Sequence, residues 1–351
     1  MFRRPWRLFF LVAGIALFGL ILWRIDLGEA FTHASRLGWG ALAVLAVCLL
    51  SFLADTWSWQ LILGNGRRGG RWFYHLWKVR MVGAAASRIT PFVGMAGEPV
   101  KAVLLNRHYG FGYSEAASSL IAAKTINLLA LVAFLVLGLV AATGATWLPP
   151  EFRMTAWTGF AVLATGIAVV FLLQVGRATS RVGSAMLHRI RGSWAGQSLH
   201  AIAGVENRLI EIYRLGPHRL AGSGLATFAN WMLGAAELWL IMYFLGNPIG
   251  VVDALAIEAG VELVRAATFF IPASIGAQEG AIVLLISALT GQAPLGLAVA
   301  LIRRLREAVW VLWGGAIAWL GFEKSLVGMP VTPAGSATPQ GTGTARPPVG
   351  E

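Results

Sequence analysis

The chain has 351 residues, 57% of them apolar and 13% charged, against about 45–50% and about 25% in soluble domains. With a mean hydropathy of +0.69, it cannot cover its surface with water-facing side chains; this excludes an ordinary soluble fold and points to a polytopic membrane protein. The net charge of +12 reads as basic cytoplasmic loops rather than a nucleic-acid surface.

In chain order, Arg3, Arg4 and Arg7 precede an apolar run at 8–23. No small-residue cleavage site follows; Trp23 and Arg24 stand where one would be. This predicts a first transmembrane helix with a cytoplasmic N-terminus. A second span is predicted at 38–63, and the loop after it, with Arg67, Arg68 and Arg71, belongs in the cytoplasm. Spans are also predicted at 114–142, 153–175, 220–246 and 295–320. The stretch 177–219 carries seven arginines against Glu206 and Glu211 and is read as a cytoplasmic basic loop. Within it Leu199, Ile202, Val205, Leu209 and Ile212 have the spacing of an amphipathic helix. The tail 326–351, rich in Pro, Gly, Thr and Ser, is expected to be disordered. Trp23, Trp39, Trp147 and Trp157 at outer boundaries, and Trp57, Trp59 and Trp319 at inner ones, form the expected aromatic belts.

Several chemistries have no residues to carry them. The single cysteine, Cys48, excludes an internal disulfide and a thiolate zinc site. The six histidines are scattered, the three aspartates lie far apart, and no Gly-x-x-x-x-Gly-Lys-Ser/Thr loop occurs. No metal, cofactor or nucleotide is therefore expected.

Two segments, 72–108 and 251–292, resist a simple span. Both are moderately apolar, broken by Gly and Pro, and dotted with charges. A mid-membrane charge costs about 2.5–3.5 kcal/mol on the insertion scale, and irregular backbone at that depth survives only inside protein or beside water. The two share a pattern. Pro91, Gly94, Gly97 and Glu98 in the first answer Pro272, Gly276 and Glu279 in the second, each Pro-x6-Glu with glycine between. A basic residue follows in the next span: Lys124, then Arg303 and Arg306. Three spans separate the segments, so the second starts on the opposite face. As re-entrant hairpins they would enter from opposite sides, an inverted-topology repeat. The fold expected is thus all-α and polytopic, with about eight membrane segments including two Pro/Gly-broken hairpins.

At these residues the chain resembles a family. The Pro-Gly-Gly-Glu block ending at Glu98, the Pro-x-x-x-Gly-x-x-Glu-Gly block at Pro272–Gly280 and the Arg-bearing last helix are similar to the transmembrane flippase-like region of lysylphosphatidylglycerol synthases. Ile271–Arg306 is most similar to the stand-alone, hopanoid-biosynthesis-associated subgroup. Pro99, directly after Glu98, departs from the family pattern. The resemblance implies a single transmembrane domain over 1–325, without the soluble aminoacyl-transferase domain of the full synthases. It implies lipid handling rather than an enzyme, in a bacterial-type inner membrane with both termini cytoplasmic.

Anionic headgroups need cations and free backbone N–H groups away from bulk water. Arg88, Lys101, Lys124, Arg265, Arg303 and Arg306 are the candidate lipid-phosphate ligands, and Glu98, Glu258, Glu262 and Glu279 the candidate cavity or coupling carboxylates. Glu262–Arg265 and Arg303–Glu307 have the spacing of intrahelical ion pairs, the plainer role for those four. Asp55 is expected to snorkel at the end of its span. Asn127, Asn230 and Glu237 are read equally as interhelical hydrogen bonds or cavity lining. The leading function is a lipid translocator or carrier for an anionic phospholipid or a polyprenyl or hopanoid-type lipid. Competing readings are a membrane transferase using a lipid acceptor, with Glu258 and Glu262 as paired carboxylates, and a scaffold for lipid-biosynthesis enzymes docked on 177–219. Partners allowed for are a membrane lipid, such enzymes and a second copy of the chain, but no nucleic acid.

Overall fold

In the computed structural model, residues 27–63, 69–89, 97–175, 204–214, 216–269, 271 and 274–326 are described. They form α1 (Leu27–Ser35), α2 (Gly40–Ile62), α3 (Gly70–Ile89), α4 (Gly97–Tyr109), α5 (Tyr113–Thr143), α6 (Pro150–Val175), α7 (Pro217–Phe244), α8 (Val251–Ala267), α9 (Ala277–Thr290) and α10 (Ala293–Leu326). A helical stretch at 204–213 precedes α7, and no strand occurs among the described residues. The predicted span 8–23, most of the basic loop with Leu199 and Ile202, and the tail from 327 lie outside the described residues.

Among the described residues, four helices are long and apolar enough to cross a membrane: α2, α5, α6 as far as Gln174, and α7. They coincide with four predicted spans to within a few residues. The predicted span at 295–320 falls within α10, a continuous helix of 34 residues. That helix is not one of the four; Arg303, Arg304, Arg306 and Glu307 interrupt its apolar run. The chain is a membrane protein. Its outer surface agrees: Val162 and Leu172 on α6, Leu225 on α7 and Leu312 on α10 are all exposed. Apolar side chains exposed over so many turns need hydrocarbon around them.

Each irregular segment contains two helices, α3 and α4 in the first and α8 and α9 in the second. Pro91, Gly94 and Pro272, the expected breakers, lie outside the described residues, but Gly97 and Gly276 are visible. Gly97 opens α4, where a Cβ would strike the Gly83 carbonyl and Ser87 Oγ on α3. Its N–H donates to Ser87 Oγ at 3.1 Å. At the other end Tyr109 packs 4.7 Å from the His75 ring and 6.1 Å from Trp72. Hence α4 runs back along α3. In the second segment Gly260 of α8 meets Leu285 of α9. Gly276 takes φ +82°, a left-handed conformation that glycine adopts without strain. Helices of 13, 17 and 14 residues for α4, α8 and α9 measure about 20, 26 and 21 Å at ~1.5 Å per residue. Each falls short of the roughly 30 Å hydrocarbon core.

Small residues set the packing, because apolar side chains gain little from each other when lipid is the alternative. Gly40 of α2 lies on the Phe244 ring of α7 and Gly222 of α7 on Leu61 of α2, so the pair is antiparallel. The Ser58 hydroxyl joins them, 2.8 Å from Ser223 and 2.7 Å from Thr227. Gly138 lets α5 touch Ala259 of α8, and Gly314 lets α10 touch Met81 and Ala85 of α3.

Two apolar cores flank a polar layer. One gathers Val44, Leu238, Ile241, Ile257, Ile282 and Val299; the other Trp59, Ile62, Leu76, Leu105, Leu120 and Phe322. Trp39, Trp57 and Trp319 are exposed as belt residues should be, but Trp59 is only 1% exposed. The expected belt role of Trp59 is thus corrected: its ring fills the second core, with Nε1 donating to Ser119 Oγ at 3.4 Å.

Candidate functional site

A cavity of about 330 Å³ occupies the polar layer. Most helices reaching it do so through a stripe at helical spacing, with polar residues three, four or eight apart. On α2 the stripe is Cys48, Ser51 and Asp55; on α7, Asn230, Gly234 and Glu237; on α8, Glu258, Glu262 and Arg265. On α10 it is Arg303, Arg306 and Glu307, on α5 Lys124 and Asn127, on α3 Arg80 and Arg88, and on α4 Glu98 and Lys101. Gln278 is the contribution of α9. The stripe on α2 lies between Val44 in one core and Trp59 in the other, and that on α10 between Val299 and Phe322.

All six cations named from the sequence, Arg88, Lys101, Lys124, Arg265, Arg303 and Arg306, line this one cavity. So do Glu98, Glu258 and Glu262. Tertiary packing has therefore brought together residues up to 218 positions apart in the chain. Glu279 is placed differently. Its side chain is nearly buried at the first turn of α9, outside the lining, accepting the Gly276 N–H at 2.7 Å and pairing with Arg304. It closes the end of the helix break, as a carboxylate at a helix N-terminus does. Gly97 and Gly276 shape the two helix starts and do not line the cavity.

Among the described residues, the charges inside are paired except for Lys124. Lys101 Nζ meets Glu98 Oε1 at 2.7 Å within α4, and Arg265 meets Glu262 at 2.8 Å within α8, the latter as spacing predicts. The predicted Arg303–Glu307 pair does not form. Arg303 instead makes a two-pronged contact with Glu258 of α8, at 2.6 and 3.3 Å. Glu307 takes Arg88 of α3 at 2.6 Å and Arg304 at 2.8 Å. Side-chain rotation on α10 decides this: Arg303 faces α8 while Glu307 faces α3, and a cross-helix carboxylate outcompetes the one on its own helix. Arg306 pairs with Glu237 of α7, and Arg80 with Asp55 of α2. Asp55 thus turns inward to a partner, correcting the expectation that it would snorkel. Glu237 and Asn230 are cavity lining, and Asn230 also bonds Ser51.

Depth orders these groups. Side-chain exposure is 41% at Arg265 and 37% at Arg88 but 6% at Arg303. Lys124 is also exposed, and it has no hydrogen bond or ion pair among the described residues. The exposed lining is accordingly Glu98 with three cations, and the buried lining holds Glu237 and Glu258 against Arg303 and Arg306. At the deep end Glu237 Oε1, Arg303 Nε and Arg306 Nε have no hydrogen-bond partner among the described residues. Buried polar atoms of this kind carry an unmet bonding demand that a ligand oxygen or water can satisfy. The arrangement offers an anion exposed cations and unsatisfied buried N–H groups. Among the described residues no three His, Cys, Asp or Glu side chains are placed to hold a metal ion.

Arg80, Arg304 and Gln278 were not singled out by sequence reasoning. Arg80 carried a usable signal: it lies eight residues before Arg88, two turns along the same face of α3.

Comparison with known proteins gives one family. A family model described as the lysylphosphatidylglycerol synthase TM region matches residues 10–314. No curated protein and no solved structure matches the chain.

Proposed function

Since the chain belongs to the family of the lysylphosphatidylglycerol synthase TM region, a membrane family of lipid metabolism, we propose that it is a lipid translocator or lipid-binding carrier for an anionic lipid, and not itself an enzyme. The observation that carries this reading is the charged cavity, lined from the middle of α2 and α7 and from the ends of α4, α8 and α9. Ser51 is about 17 Å from either end of α2 at ~1.5 Å per residue, so the layer would sit near the bilayer midplane. Intramembrane charges at that depth are costly and mark ligand paths.

In this reading the short helix pairs α3–α4 and α8–α9 are re-entrant elements entering from opposite faces, with α10 and the 8–23 segment among about eight membrane segments. The inverted arrangement would let the site face either side alternately. Positive-inside counting puts both termini in the cytoplasm of a bacterial-type inner membrane. Lipid acyl chains would remain in the bilayer while the headgroup passes the basic mouth. Glu98, Glu258 and Glu262 would offset the cations so that the headgroup is released as well as bound.

The test is reconstitution. Full-length protein goes into liposomes containing headgroup-labelled phosphatidylglycerol, and an impermeant quencher is added outside. Loss of signal past the outer-leaflet half, absent from protein-free liposomes, is the expected result. A plateau at half with purified protein, with and without a proton gradient, rejects translocation. Turnover of a labelled lipid to a new product would instead indicate a transferase.

A further inference from the structure

The cavity's charges do not balance, and the remainder has an address. Among the described residues, seven cations and six carboxylates line it. Each carboxylate has a cation partner of its own within the lining. The seventh cation is Lys124, exposed into the cavity and, among the described residues, without an ion pair or hydrogen bond. Glu98 is already held by Lys101 at 2.7 Å. The undescribed stretches 90–96, 270 and 272–273, next in sequence to α3, α4, α8 and α9, contain no charged residue.

An ammonium in a low-dielectric layer without a counter-ion is unfavourable, and a single negative charge beside it offsets that cost. From this geometry we infer that the cavity is a charge-matched site for a single phosphodiester monoanion, with Lys124 as its anchoring cation. The inference takes its setting from the lipid-carrier reading above and narrows it. A phosphodiester carries one negative charge at neutral pH. A phosphomonoester carries about −1.5 to −2 and would leave the site over-neutralised. A zwitterionic headgroup leaves the lysine charge standing, and a cationic one adds to it. The paired arginines stay where their carboxylates hold them, so selectivity among headgroups is governed by Lys124 alone. Lysine suits the role: a mobile point charge with three donors can follow a headgroup as it passes, whereas a guanidinium is fixed by its planar fork.

The test is binding, kept separate from transport. Detergent-purified full-length protein is titrated by calorimetry with short-chain phosphatidylglycerol, phosphatidylcholine, phosphatidic acid and lysylphosphatidylglycerol. Phosphatidylglycerol, the diester monoanion, is expected to bind at least ten-fold tighter than the other three. Lys124→Gln is expected to weaken phosphatidylglycerol about ten-fold, leaving phosphatidylcholine and the melting temperature unchanged. Lys124→Arg is expected to retain the preference. Water-soluble glycerophosphoglycerol is the competing source. Displacement at equal concentration assigns the site to a soluble diester, and failure to displace assigns it to a lipid headgroup; both keep the charge match. Equal affinity for all four lipids, preference for the cationic or monoester lipid, no binding at all, or an unchanged preference in Lys124→Gln overturns the inference. Selective binding without movement in liposomes rejects the translocator reading and leaves the site standing. Movement without headgroup preference does the reverse.

Discussion

Arg303 and Glu258 stand 45 residues apart in the chain and meet through two contacts of 2.6 and 3.3 Å, each side chain about 6% exposed. This pair ties α10 to α8 across the deepest part of the cavity.

Removing one partner strands a buried charge, which costs about 3–5 kcal/mol. Arg303→Met and Glu258→Met should each lower the melting temperature in detergent clearly. The double variant Arg303→Met/Glu258→Met should recover a large part of the loss, because neither charge is then left alone. The sum of the single effects compared with the double effect gives the coupling. An additive double variant would show that the pair is not coupled.

Glu98 and Glu279 look equivalent in the sequence and are expected to behave differently. Glu98 is half-exposed in the cavity beside Lys101, so Glu98→Gln should leave folding intact and reduce lipid movement at least ten-fold. Glu279 holds the Gly276 N–H and Arg304, so Glu279→Gln should lower the melting temperature by weakening a buried charge-assisted contact of about 1.5–3 kcal/mol. Melting curves and liposome flux measured on both variants separate the roles. Identical profiles for the two would contradict this assignment.

Glycine substitutions probe the helix contacts. Gly97→Ala puts a methyl against the Gly83 carbonyl and Ser87, and Gly138→Ala puts one against Ala259, and each should cost roughly 1–3 kcal/mol by overpacking. Gly166→Ala on α6 and Gly224→Ala on α7 meet nothing within 4 Å and should be neutral or stabilising by up to about 1 kcal/mol. Thermal stability in detergent ranks the four. Equal effects would mean that close helix approach does not limit packing.

The four apolar spans were legible because a lipid-facing helix needs an unbroken run of about 20 apolar residues, and such runs are written locally. The helix breaks in 72–108 and 251–292 were legible for the same kind of reason, since proline, glycine and charge interrupt a run where they stand. Burial was less so: nothing in the pattern around Trp59 distinguishes a belt ring from a core ring, and only the approach of Ser119 and the second core does.

The sequence by itself determined which residues are expensive in a membrane, and so nominated nine of the groups that line the cavity: Arg88, Glu98, Lys101, Lys124, Glu258, Glu262, Arg265, Arg303 and Arg306. Only the tertiary structure decided their partners. Pairing depends on which helix faces which, and local spacing gave the right answer for Glu262–Arg265 and the wrong one for Arg303–Glu307. It decided as well that Asp55 turns inward to Arg80, that Glu279 closes a helix end, and that Lys124 is left over. A charge's cost in lipid is a property of the residue, but the balance of a cavity is a property of everything packed around it.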